Sequence, residues 1–122
     1  MKKAMRMFKT AKFSKDAKKS RISDMVLCGA ILQVQAGQAD DLGGGVFKKR
    51  LQNNQQRAII MTKTGEHWVY EYLFAKQDRA NISEAELAAF KMLAKAYISM
   101  TDLQLDVLLE QKDLMEICHD QD

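Results

Sequence analysis

Cations recur in a stretch that otherwise reads as apolar strands. Residues 42–87 hold Lys48, Lys49, Arg50, Arg57, Lys63, Lys76 and Arg79 among Val46, Phe47, Leu51, Ile59, Ile60 and Met61 and the rings of Trp68, Tyr70, Tyr72 and Phe74. Strand side chains tend to go under, and Lys and Arg are rarely buried unpaired. Any one of these cations reads as a solvated edge position; their recurrence implies a face reserved for an anion. Arginine suits a phosphate because its planar fork donates two hydrogen bonds at once. His119, almost at the end of the chain, has a reference pKa near neutrality and so suits proton transfer, with a frayed exposed residue as the alternative. His67, beside a hairpin turn, reads as exposed and inert. Gly43, Gly44 and Gly45 suggest a phosphate loop, but no Gly-Lys-Ser/Thr follows and no helix opens after them. A tight lead-in to a strand, or close approach of another backbone, fits better.

The elements that must position these residues follow from periodicity and end signals. A first strand is expected over 4–9. A short helix over 11–19 has little to bury beyond Phe13 and Ala17. Its Lys12, Lys15, Lys18 and Lys19 lie within reach of phosphates if the helix borders a groove, and are otherwise solubilising. Ser23 is a good N-cap for a helix over 25–36, where Leu27, Ile31 and Val34 share a face and Gly37 supplies the stop. Residues 40–45 read as a turn. The strand 46–51 places Val46, Lys48 and Arg50 on one face and Phe47, Lys49 and Leu51 on the other.

After a polar turn over 52–56, the strand 57–63 reads as central, and Thr64 and Gly65 close a hairpin. The strand 67–76 would then show Trp68, Tyr70, Tyr72, Phe74 and Lys76 on one face, with Val69, Glu71, Leu73 and Ala75 on the other. Such an aromatic face is core under a helix; at a sheet margin, rings also stack on bases, each worth ~1–3 kcal/mol. Asp78 and Asn81 sit where the chain leaves the strand, and short polar side chains there bond backbone donors. Ser83 with Glu86 has capping-box spacing for a helix from residue 84 with an apolar stripe of Leu87, Phe90, Leu93, Ala94 and Tyr97. Thr101 with Gln104 repeats the signature, and 114–119 reads as a closing strand.

A chain of 122 residues with 47% hydrophobic and 29% charged residues fits one domain with one core. No apolar run approaches the ~20 residues that span a bilayer, and the basic N-terminus lacks the apolar core of a signal peptide. A cytoplasmic protein is therefore expected. Cys28 and Cys118 are far apart, match no metal spacing, and in that compartment read as buried free thiols. The net charge of +3 conceals an asymmetry. Lys2, Lys3, Arg6, Lys9, Lys12, Lys15, Lys18, Lys19 and Arg21 open the chain against Asp16 alone, whereas acids dominate from Glu84 onward. The split implies one face for a polyanion and another turned away from it, and nucleic acid leads the partner classes.

The run Leu42-Gly43-Gly44-Gly45-Val46-Phe47-Lys48-Lys49-Arg50, the later Arg57, and Phe74-Ala75-Lys76-Gln77-Asp78-Arg79-Ala80-Asn81-Ile82 with Glu86-Leu87 resemble the RelE/HigB-type toxins of bacterial type II toxin–antitoxin systems, in the RelE/ParE superfamily. Ile22-Ser23-Asp24 with Leu27 and Ala30 fits the same branch, and the resemblance covers roughly residues 8–97. It implies an α+β fold: a small twisted antiparallel sheet with two N-terminal helices packed on it and C-terminal helices, in the order β-α-α-β-β-β-α. One such domain would span 1–122, with 101–122 as an acidic extension of it. The resemblance further implies a ribosome-dependent endoribonuclease that cuts mRNA, held in check by a cognate helix-turn-helix antitoxin, with no cofactor, no metal and no membrane association.

By the same resemblance Lys48, Lys49, Arg50, Arg57, Lys76 and Arg79 fall at the family's basic motif positions, and His119 is the candidate for a late acid–base group. In the implied reaction the RNA's own 2′-hydroxyl attacks the adjacent phosphate, and the protein orients the nucleotide, stabilises the dianionic transition state and moves protons. Arg57, Lys76, Arg79 and His119 form the expected catalytic set. Lys48, Lys49, Arg50, Lys12, Lys15, Lys18 and Lys19 are expected to bind RNA. Arg50, Arg57 and Arg79 suit the phosphate. Lys48, Lys49 or Lys76 could act as base if neighbouring cations lower its pKa, and His119 would protonate the leaving oxygen. The chain departs from its relatives in the Gln-rich connection before Arg57 and in the acidic extension, which could cover the groove or serve the antitoxin. The rival classes are a non-catalytic toxin on the same scaffold that binds a protein such as DNA gyrase, as ParE-type relatives do, and a plain nucleic-acid-binding regulator.

Overall fold

A mixed sheet with helices on both faces organises the structure, a computed structural model that describes residues 5–63 and 67–118. In chain order the elements are β1 (Arg6–Thr10), α1 (Ala11–Lys19), α2 (Asp24–Gln35), β2 (Asp40–Gly43), β3 (Val46–Leu51), β4 (Gln56–Lys63), β5 (His67–Ala75), α3 (Glu84–Ile98), α4 (Asp102–Glu110) and β6 (Leu114–Ile117). Among the described residues the sheet has six strands in the order β2-β3-β4-β5-β1-β6. Neighbouring strands are antiparallel except β1, which runs parallel to β5, with Arg6 opposite His67 and Lys9 opposite Tyr70. The sheet is thus mostly antiparallel, as expected from the sequence, with one parallel ladder. A long crossover between β1 and β5 makes the parallel pairing possible.

The helices start where their caps dictate. The Thr10 hydroxyl accepts the Phe13 N–H at 3.0 Å and turns β1 directly into α1. Ser23 caps α2, and reciprocal capping boxes open α3 at Ser83 and Glu86 and α4 at Thr101 and Gln104. α1 and α2 bury Phe13, Ala17, Leu27, Ile31 and Val34 against Ala58, Ile60, Trp68 and Tyr70 on one face of the sheet. α3 and α4 bury Ala94, Tyr97 and Leu105 against Phe8, Val46, Ile59, Met61 and Val69 on the other. Fully buried side chains of this size contribute ~1.5–3 kcal/mol each. No helix among the described residues is long and apolar enough to cross a membrane.

Four local expectations change. Residues 40–45 hold a short strand, β2, before the glycine turn. The close-approach reading of the glycines stands: Gly45 has φ +83, and a Cβ there would meet the Thr62 carbonyl oxygen at 3.1 Å. The supposed single aromatic face of β5 is split, because the ladder with β4 shifts between Ile59, opposite Tyr72, and Ile60, opposite Tyr70. The extra residue, Glu71, is a bulge that turns the rest of the strand over. Trp68 and Tyr70 therefore lie under α1 and α2, where Tyr70 meets Phe13 at 4.9 Å, while Tyr72 faces α3 and meets Phe90 at 5.9 Å.

His67 is buried at 4% exposure rather than exposed, since β5 lies inside the sheet and α3 covers it; its Nε2 is 3.2 Å from the Tyr97 carbonyl oxygen. Cys28 and Cys118 form a disulfide with Cα atoms 5.8 Å apart, not a pair of free thiols. The fold brings the end of β6 beside α2, a proximity that a separation of 90 residues hides.

Candidate nucleic-acid interface

Two rows of side chains cross β3, β4 and β5 on the α3 side of the sheet. Register places Arg50, Arg57 and Phe74 in one row and Lys48, Ile59 and Tyr72 in the next. Strand alternation puts these residues on the face that buries Val46 and Met61. Like charges directly opposite across a ladder destabilise it by ~0.2–1 kcal/mol, so Arg50 facing Arg57 is a cost the fold carries. Arg57 is 8% exposed, and its Nη1 donates to the Asn54 carbonyl at 2.7 Å. That carbonyl is turned back by left-handed backbone at Gln52, Asn53 and Asn54, with φ of 49°, 53° and 73°. Asn tolerates this region, whereas Gln52 is strained there.

Arg79 anchors the cluster. Its Nη1 and Nη2 bond both oxygens of Glu86, Nη1 also donates to the Tyr72 hydroxyl at 3.2 Å, and Nε donates to the Asn81 carbonyl at 3.0 Å. The guanidinium lies over the Phe74 ring, 5.7 Å from its centre. Glu86 also accepts the Ser83 N–H at 2.7 Å as part of the capping box. Its carboxyl is accordingly held down to about 2, first by Arg79 and then by Ser83, and Arg79 is raised, chiefly by Glu86. These bonds leave a single Nη2 hydrogen of Arg79 uncommitted among the described residues. Lys48 reaches the same cluster by donating to Asn81 Oδ1 at 3.3 Å, and its Nζ lies 3.6 Å from Asp40.

A groove of about 430 Å³ opens beside this cluster, between α1 and the end of β5. It exists because β1 pairs with β5 only as far as Tyr70; beyond Thr10 the chain becomes α1, which flanks the remaining length of β5. Lys12, Asp16 and Lys19 line it from the helix, and Tyr72, Phe74 and Arg79 from the other side. Lys12 is bonded to Asp16 at 3.0 Å. Lys15 and Lys18 are exposed and lie outside the lining, so the helix divides its lysines into two sets. A second cavity, about 360 Å³, is lined by Asp40, Lys48, Lys49 and Arg50 near the end of α2. Lys49 lies on the α2 side of the sheet, opposite Ala58.

The residues singled out from sequence therefore separate. Arg57, Arg79, Lys48, Arg50, Lys12 and Lys19 gather around the α3 face and the groove. Lys49, Lys15 and Lys18 point elsewhere. Lys76 is exposed just past β5, with its backbone N–H on the Gln55 carbonyl at 2.9 Å. His119 lies outside the described residues. Asn81 does the backbone work expected of it, accepting the Ile82 N–H at 2.9 Å. The sequence marks Glu86 as a cap and motif residue and Tyr72 as part of an aromatic stripe, and assigns neither to the site. The signal for both was Arg79, a cation that leaves a strand seven positions before a carboxylate on the next helix.

A family model described as the RelE toxin of the RelE/RelB toxin–antitoxin system matches residues 5–117. The chain belongs to the RelE toxin family. It is a toxin of a toxin–antitoxin system, and its four described helices and six-stranded, mostly antiparallel sheet form a RelE-like α+β fold. No curated protein and no solved structure gives a significant match to the chain. In this RelE toxin the basic residues of the β3–β4–β5 surface are thus held by a glycine-led strand, a left-handed turn and a helix cap, all of them local sequence features.

Proposed function

We propose that this RelE toxin is a ribosome-dependent endoribonuclease that cuts mRNA by attack of the RNA's own 2′-hydroxyl on the scissile phosphate. The observation that carries the reading is the facing pair Arg50 and Arg57, continued by Phe74 and Arg79 along the same face. Arginines carried at facing strand positions, with Arg79 over the Phe74 ring beside them, suit a phosphate with a base stacked next to it. Arg57 is pinned by the Asn54 carbonyl, and it is cast on the transition-state oxygens. Arg79 contributes its uncommitted Nη2 hydrogen. Arg50 meets the same phosphate from β3, Lys48, Lys12 and Lys19 hold the flanking phosphates, and Lys76 lies at the rim. The products are a 2′,3′-cyclic phosphate and a 5′-hydroxyl.

The partner that silences the toxin would be a cognate helix-turn-helix antitoxin, and action on ribosomes would place the protein in the cytoplasm. A disulfide is unusual in that reducing compartment, so Cys28–Cys118 is the feature this reading must accommodate. End-mapping of a defined mRNA in a purified translation system, with ribosomes present or omitted, tests the reaction. Cuts inside codons that require translating ribosomes are the expected result. Intact mRNA with undiminished translation overturns it, and inhibited gyrase supercoiling with intact mRNA would move the toxin to the protein-binding class.

A further inference from the structure

The three tyrosines of the chain are used in two different ways. Tyr70 donates its hydroxyl proton to the Leu27 carbonyl at 2.6 Å, deep in the core, and Tyr97 donates to the Glu71 carboxylate at 3.3 Å. Tyr72 is the reverse: its oxygen accepts from Arg79, and among the described residues no protein group takes its proton. Of the three, it alone lines the groove beside α1. We propose that Tyr72 is the proton donor to the leaving 5′-oxygen, and that Glu86 and Arg79 position it. This rests on the nuclease reading above.

Four features support the assignment. The bulge at Glu71 turns Tyr72 onto the face that carries Arg57 and Phe74; in an unbulged strand its hydroxyl would lie under α2. The ring is wedged between Phe74 at 5.7 Å and Phe90 at 5.9 Å, which fixes the direction of its C–O bond. The Arg79 N–H claims an oxygen lone pair, and the adjacent guanidinium stabilises the negative charge left once the proton has gone. Arg79 is itself fixed through Glu86, whose oxygens are tied to the first turn of α3 through Ser83. A proton donor, the group that orients it and a third group behind that one are the parts a proton relay needs.

The step balances without a redox partner. The O2′–P bond forms as the P–O5′ bond breaks. The 2′-hydroxyl proton passes to water or to a base in the groove. The Tyr72 proton passes to O5′, and the phenolate is reprotonated from solvent.

A bridging 5′-phosphorothiolate at the scissile position of ribosome-bound mRNA tests this, because a thiolate leaves without needing a proton. Single-turnover cutting is compared for wild type, Tyr72→Phe, Glu86→Gln and His119→Ala on oxygen and sulfur substrates. Phenylalanine keeps the ring between Phe74 and Phe90, so the fold should survive. Tyr72→Phe is expected to lose ~10²-fold or more on the oxygen substrate and to return to near the wild-type rate on sulfur. Glu86→Gln is expected to lose less, in the maximal single-turnover rate with the half-saturating concentration unchanged, and to be rescued in the same way. An equal loss on both substrates, no loss on either, or sulfur rescue of His119→Ala in place of Tyr72→Phe overturns the assignment alone. A wild-type protein that cuts neither substrate overturns the nuclease reading and this assignment with it.

Discussion

Two arginines lie over phenyl rings on the same side of the sheet, and they are put to opposite use. Arg6 sits 5.0 Å from the centre of Phe8 and is ringed by carboxylates: Glu116 at 2.8 and 2.9 Å, Asp106 at 3.0 Å and Asp102 at 3.3 Å. Arg79 sits over Phe74 with one carboxylate, Glu86, and otherwise neutral partners in Tyr72 and Asn81. The first knot carries excess negative charge and ties β1 to β6 and α4. The second is neutral in itself and borders Lys48 and Arg57, so the surface around it stays positive. What marks a phosphate site is the charge remaining after pairing, not the guanidinium itself. The same comparison revises the asymmetry of the chain: Arg6, from the basic N-terminal run, is neutralised by the acidic C-terminal part.

The largest effect should fall on the Arg6 side, where β6 ends at the disulfide. Closing a loop of 90 residues restricts the unfolded chain by as much as ~4.6 kcal/mol in the chain-entropy account. Reduction, or Cys118→Ser, should lower the urea midpoint accordingly and leave the cutting rate of the folded fraction unchanged. A drop in rate at constant stability would mean that the clasp serves the site instead.

Arg79→Lys comes next. It keeps the charge but loses the fork that grips Glu86 and directs Tyr72. Cutting should fall by ~10²-fold, while the urea midpoint stays close to that of the wild type, as expected of an exposed pair. Arg6→Met should do the reverse. Removing the cation that Asp102, Asp106 and Glu116 share should cost ~2 kcal/mol of stability with cutting per folded molecule intact. If both variants lost activity equally, the contrast between the two knots would collapse.

Most of the elements, and the cations of the site but not their partners, could be read from the sequence. Helix α1 and strand β3 sit at their expected bounds because Thr10, the glycine turn and Gln52 punctuate them locally. The capping boxes were legible for the same reason: Ser83 with Glu86 and Thr101 with Gln104 are bonded within three residues. What escaped depends on partners far away in the chain. The bulge at Glu71 is set by the register against β4, the parallel course of β1 by β5, the burial of His67 by α3, and the disulfide by the docking of β6 near α2. The role argued for Tyr72 was hidden by the first of these, since strict alternation grouped it with Trp68 and Tyr70.

Two carboxylates near α3 extend the contrast to pH. Burial raises Glu71 from 4.5 to about 7, against the hydrogen bond from Tyr97, whereas Arg79 holds Glu86 down to about 2. Between pH 4.5 and 7 folded Glu71 keeps a proton that the unfolded chain has released, so stability should fall as pH rises through that window. Discounted for partial exposure, the drop is about 2 kcal/mol. Glu71→Gln should flatten it in urea titrations. Glu86 acts with the other sign: its contribution is present above pH 4.5 and lost as pH falls towards 2, so Glu86→Gln should lower stability above pH 4.5 and converge with the wild type as pH falls towards 2.

The smallest effects separate the lysines of α1. Each lysine that meets a phosphate releases condensed counterions, so removing it should reduce the salt slope of RNA binding by ~0.7 for single-stranded RNA. Lys12 and Lys19 line the groove, and Lys15 and Lys18 lie outside it. Lys19→Ala should therefore flatten the slope, and Lys15→Ala and Lys18→Ala should leave it as it is. Lys12 is the informative case, because Asp16 already holds it at 3.0 Å and RNA must compete with that carboxylate. Asp16→Asn should strengthen binding and restore the full slope to Lys12. An unchanged affinity in Asp16→Asn, or equal slopes for all four lysines, would show that RNA approaches α1 as a diffuse polyanion, with the groove beside Tyr72 and Arg79 playing no part in its path.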